Sequence, residues 1–180
     1  FAIRSACYLL ITLSAEASSI SSLSQLSVSF RAQVSEPSLL PYLKLPDIEA
    51  FQKLYDSSKG LIRIVDVAAE LSGAETFTKH AATLCKVAIA HTDCTYDEAE
   101  TVFNAGASHL THLFNAMPGI HHRKPGPIGA GSERKGVTAE LICDGLHVHP
   151  SAIRMAFKLF PGRVCLISDA LRCCGMPDGK

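Results

Sequence analysis

The sequence predicts an α/β fold, a partial (β/α)8 barrel, and three observations predict it. Apolar runs rich in β-branched residues alternate strictly with helical patterns between residues 46 and 168. The runs are nearly all apolar, as in strands covered on both faces. Neither a G-x-G-x-x-G nor a P-loop follows any of them, which disfavours a nucleotide-binding sheet. The expected domain is residues 39–180, a barrel with N-terminal and C-terminal parts missing. Residues 1–38 stand apart as a Ser-rich segment.

Pro46-Asp47 starts a helix in which Ile48, Phe51, Leu54 and Tyr55 recur at helical spacing, and Gly60 ends it. LIRIVDV (61–67) reads as a strand. Ser72 and Glu75 have capping-box spacing ahead of Phe77, Ala81 and Leu84 on one helical face. KVAIA (86–90) is the next strand. Thr95 and Glu98 form a second capping box, and Gly106 closes that helix. Residues 107–114 read as a strand, followed by a Gly/Pro loop that cannot continue a regular element. VTAELIC (137–143) is a strand, Pro150 suits a first helical turn, and VCLIS (164–168) is the last clear strand.

The first 40 residues contain eleven serines and no clear period. Arg4, the apolar run 7–13 and Ala15-Glu16-Ala17 superficially suggest a signal peptide, but the cysteine pattern argues against one. The chain begins at Phe1 and stops at Lys180 without a closing helix, so a piece of a longer chain is expected. Seven cysteines (Cys7, Cys85, Cys94, Cys143, Cys165, Cys173, Cys174) form no CxxC pair. They read as reduced thiols in a cytoplasmic protein, with neither a disulfide framework nor a thiolate zinc site.

With 47% hydrophobic and 19% charged residues, the chain belongs with globular proteins. Its formal net charge of zero offers no field for nucleic acid or an anionic membrane. No run reaches the ~20 apolar residues of a membrane span. No nucleic-acid or membrane partner is expected, and any phosphate must be held locally.

Residues 106–126 (GASHLTHLFNAMPGIHHRKPG) concentrate four histidines, an asparagine, an arginine and a lysine behind one short apolar run. Alone, the stretch is equally a buried strand before a solvated basic loop. The other strands change that balance. His91 follows KVAIA, His109 and His112 lie in 107–114, Asp144 and His147 follow VTAELIC, and Asp169 follows VCLIS. In a parallel barrel the carboxyl ends of the strands share one face. Imidazoles with a carboxylate suit a catalytic divalent metal. Such a metal acidifies water, and a carboxylate can pass the proton to a leaving group. His91 and His112 are 21 residues apart, a spacing that fits ligands from successive strands. Asn115 and Ala116 fall where free backbone N–H groups are expected, and Arg123 adds a guanidinium, a donor set suited to phosphate. Lys124, His121 and His122 read as loop residues.

The runs THLFNAMPGIHHRKPGPIGA (111–130), AHTDCTYDEA (90–99), CDGLHVHP (143–150) and LISDAL (166–171) closely resemble the N-acetylglucosamine-6-phosphate deacetylase family of the amidohydrolase superfamily. The resemblance covers about residues 40–180. It implies a metal-dependent (β/α)8 barrel, homodimeric at full length, that removes acetate from N-acetylglucosamine 6-phosphate in amino-sugar catabolism. The metal-binding histidines of the family fall on His91 and His112, its catalytic aspartate on Asp169, and its substrate-binding residues on Asn115, Ala116, Arg123 and His147. The implied cofactor is one divalent ion, zinc or iron foremost, with cobalt or manganese as alternatives.

One part of the pattern is missing. The family supplies a third ligand, the glutamate of a His-Leu-Glu-Gly-Pro motif, and residues 1–40 contain no such motif; Glu36-Pro37 is a poor substitute. Two other readings stay open on this account: an amidohydrolase for another phosphorylated amide, and an inactive remnant that binds sugar phosphate without turnover.

Overall fold

The computed structural model describes residues 45–170 and, as backbone, Leu10–Thr12 and Leu26–Phe30. The elements run β1 (Leu10–Thr12), β2 (Leu26–Phe30), α1 (Ile48–Ser57), β3 (Ile62–Val67), α2 (Ala74–Ala81), β4 (Lys86–Ile89), α3 (Tyr96–Asn104), β5 (His109–Leu110), α4 (Gly126–Glu133), β6 (Thr138–Ile142), α5 (Pro150–Leu159) and β7 (Val164–Ile167). They form one sheet in which each strand lies beside its predecessor in the chain. The pair β1–β2 is antiparallel, and every other pair is parallel. Sequential order without a reversal is the order of a barrel wall; a doubly wound sheet reverses at its switch point. The five expected strands are present. β1 and β2 lie within 1–38, where the sequence shows no period; the rest of that segment, with Glu36-Pro37, is outside the described residues.

Local chemistry accounts for most boundaries. The Asp47 carboxylate caps α1 by accepting from the Ala50 N–H at 3.0 Å. Both halves of the Thr95/Glu98 box are made at α3. Pro150 occupies the first turn of α5. Three expectations need correction. α1 ends at Ser57, and Gly60 serves the following turn, with φ of 80°. The Ser72/Glu75 box does not form: α2 starts one residue later, behind a left-handed Gly73, and Glu75 pairs with Lys79 instead. The third concerns 107–114, where only His109–Leu110 is strand. His112, Phe114 and Ala116 take φ of 35°, 74° and 48°, and left-handed residues cannot continue a pleat. The segment is still held between its neighbours: the Thr111 N–H donates to Ile89 O and the Leu113 N–H to Glu140 O.

The core lies between sheet and helices, where Phe51, Phe77, Phe103, Ile128 and Ala156 meet Val65, Val87, Leu110 and Leu141. Burying each large side chain contributes about 1.5–3 kcal/mol. Along β6, Ala139 and Leu141 join this core, so Thr138 and Glu140 face the other way. That second face is polar. His109 Nδ1 lies 2.5 Å from Thr138 Oγ1 and its Nε2 3.1 Å from a Glu140 oxygen. Thr111 Oγ1 donates to the buried Asp66 carboxylate at 2.8 Å.

Candidate active site

Two positions beyond the ends of β4 and β5 stand histidines with left-handed backbones. His91 has φ of 47° and His112 of 35°, and both side chains are buried. Non-glycine residues hold this conformation at a cost of order 1–3 kcal/mol, and such strain concentrates at functional sites. Here it aims two imidazoles at one point. Their Nε2 atoms stand 2.9 Å apart, with the rings nearly perpendicular. Two imidazole nitrogens at this distance require a shared proton or a cation between them.

The donor set fits a divalent metal as two of its protein ligands. Zinc with N–Zn bonds of about 2.0–2.1 Å holds tetrahedral nitrogens about 3.3 Å apart, so the rings would part by a few tenths of an ångström. His112 Nδ1 is buried without a partner among the described residues. Among those residues no cluster of three or more His, Cys, Asp or Glu side chains forms a complete metal site.

Asp169 is the third residue with this geometry. It follows β7 by two positions, has φ of 46° and is exposed. Parallel pairing puts it at the same end of the sheet as the histidines, two strands beyond His112. His147 follows β6 on a loop built around Asp144. That carboxylate accepts the Leu146 and His147 backbone N–H groups, both at 2.9 Å, and faces His147 Nδ1 at 2.6 Å. These bonds, the His147 N–H first, hold the Asp144 carboxyl down at about 2. Asp144 thus holds the His147 ring through Nδ1.

The loop after β5 meets half of its expectation. Asn115 does not offer a free N–H: its backbone donates to His112 O at 2.9 Å. Its Nδ2 donates to His112 O and Leu113 O, which stiffens the turn beneath the imidazole. The N–H of Ala116 has no acceptor among the described residues, and Ala116 O accepts from Thr92 N. Arg123 sits exposed on a tight turn closed between His121 and Lys124.

No family model matches the chain. A curated N-acetylgalactosamine-6-phosphate deacetylase of Escherichia coli O157:H7 is 37% identical over 145 residues, 80% of this chain and 38% of the relative. The N-acetylglucosamine-6-phosphate deacetylase of Bacillus subtilis is 39% identical over 141 residues, 77% of this chain and 35% of its own length. The crystal structure of the Mycobacterium smegmatis N-acetyl-D-glucosamine-6-phosphate deacetylase matches with a TM-score of 0.79 at 33% identity, over 85% of this chain and 45% of that one. In sequence and in fold, this chain is similar to part of the N-acetylglucosamine-6-phosphate deacetylase barrel. It spans less than half the length of these relatives.

Within this barrel segment two residues are tied more closely to the candidate residues than their sequence signal suggests. Asp144 orients His147, and its i, i+3 spacing was the available sign. Glu70, beyond β3, bonds to the residues that follow His91; nothing in its own neighbourhood of the sequence marks it. Cys85, Cys94, Cys143 and Cys165 are free thiols. Burial pushes Cys94 up to about 12 and Cys85 up to about 11, so both stay protonated at neutral pH. The remaining cysteines lie outside the described residues. No described helix is long and apolar enough to cross a membrane.

Proposed function

We propose that the chain carries part of an active site that hydrolyses the acetamide of N-acetylglucosamine 6-phosphate to glucosamine 6-phosphate and acetate. The supporting observation is the pair of strained, buried histidines at consecutive strand exits, facing each other through Nε2. His91 and His112 hold one divalent ion, zinc or iron foremost, with cobalt and manganese also suited to the donors. When bound, the ion supplies Lewis acidity to the carbonyl and acidifies water. Asp169 takes a proton from the attacking water on a carboxylate oxygen and delivers it to the departing amine nitrogen. Arg123 and the Ala116 N–H hold the phosphate, with Asn115 shaping the loop. His147, anchored through Asp144, presents Nε2 to the sugar phosphate. The working protein is a cytoplasmic homodimer acting on a small molecule, in keeping with the free thiols.

A second sugar is favoured by a specific observation: the Escherichia coli relative at 37% identity is named for the galactosamine epimer. Acetate release from both N-acetylhexosamine 6-phosphates and from unphosphorylated N-acetylglucosamine, by the full-length protein, tests the reading. His112→Ala and Asp169→Asn lower the rate by about a hundred- to ten-thousandfold. Unchanged rates in both variants would remove the proposal.

A further inference from the structure

The residues that follow His91 are held from the loop beyond β3. Three residues beyond the end of β3, Glu70 reaches the two residues that follow His91. One carboxylate oxygen accepts from Thr92 Oγ1, and the other accepts from the Asp93 N–H at 2.8 Å. The Thr92 hydroxyl in turn accepts from the Ala69 and Cys94 N–H groups at 3.3 and 3.2 Å. The Thr92 N–H donates to Ala116 O at 3.0 Å. Thr92 is fully buried. The exits of β3, β4 and β5 are thus tied together at the residue next to the imidazole. A non-glycine residue keeps a left-handed backbone only where its surroundings over-determine it, and these bonds fix the two residues that follow His91.

We propose that Glu70 is a positioning residue for the metal: through Thr92 and Asp93 its carboxylate locks the His91 backbone so that Nε2 faces His112. This rests on reading His91 and His112 as ligands. Without the lock, residues 91–93 relax towards ordinary conformations and the imidazole swings off its partner. Partners outside the ligand set commonly change metal affinity about ten- to a hundredfold.

The test measures zinc affinity of the full-length apoprotein by titration calorimetry and the visible spectrum of its cobalt(II) form, beside melting of the apoprotein. Glu70→Ala and Thr92→Val weaken zinc binding about ten- to a hundredfold and alter the cobalt spectrum. Thr92→Ser, which keeps the hydroxyl, restores both. If Glu70→Ala fails to fold, Glu70→Gln, of equal size but without the charge, and the Thr92 pair decide in its place. Wild-type affinity and spectrum in folded Glu70 and Thr92→Val variants overturn the proposal, as does a loss that Thr92→Ser fails to restore. The His91→Ala and His112→Ala controls separate the two readings. If both bind zinc like the wild type, it is the ligand assignment that fails.

Discussion

At the scale of single residues, the chemistry of this chain rests on side chains whose partners hold them still. Asp144 shows how. Two backbone N–H groups and one imidazole keep its carboxyl at about 2, below the ordinary value near 4. A depressed pKa makes the anchoring fully present above the unfolded value and lost only as pH falls through about 2. His147 therefore stays anchored across any working range from about pH 4 upward. Asp144→Asn removes the charge and frees the ring. We expect KM for the sugar phosphate to rise roughly tenfold, the worth of one charge-assisted hydrogen bond, with kcat changed less; steady-state kinetics checks the split. The placement of His91, His112, His147 and Asp169 beyond strand ends was legible because parallel strands end on one face. The left-handed backbones that aim three of them were not, since no residue type announces a strained histidine or aspartate.

At the scale of elements, α4 was the one described helix the sequence did not suggest. Its residues, GPIGAGSE, combine the poorest helix formers. Packing explains them. A Cβ on Gly131 would stand 2.7 Å from Leu110 Cδ1 and 3.3 Å from Phe103 Cζ, so the helix can lie close against β5 and α3 only without one. Gly131→Val is expected to destabilise by about 1–3 kcal/mol through overpacking, read as a lower urea midpoint at unchanged slope. The reverse case is the Ser72/Glu75 box, where the letters were right for a cap but the helix began one residue too late. Long-range joints were likewise invisible. Arg163 donates to the carbonyls of Ser132, Arg134, Val137 and Leu159 and stacks on Phe160, binding the turns before β6 and β7 into one unit.

At the scale of the whole molecule, the described sheet is an arc of barrel wall. β7 pairs with β6 on one side and has no partner on its outer edge among the described residues. Cys165 is exposed there, and Leu166 is 65% exposed. Unpaired apolar edges template association. The chain as given is expected to self-associate at micromolar concentration, and Leu166→Lys to shift it towards monomer in light scattering.

Hydrophobic periodicity and capping residues determined the alternating elements and the barrel-type order, and marked the strand-exit positions of the candidate residues, because these are local patterns or follow from parallel pairing. The tertiary structure alone decided the close seat of α4, the break of β5 after two residues, the spent N–H of Asn115 and the Glu70–Thr92 tie. Each of these depends on groups that meet only once strands distant in the chain lie side by side, and spacing along a sequence carries no record of such distances.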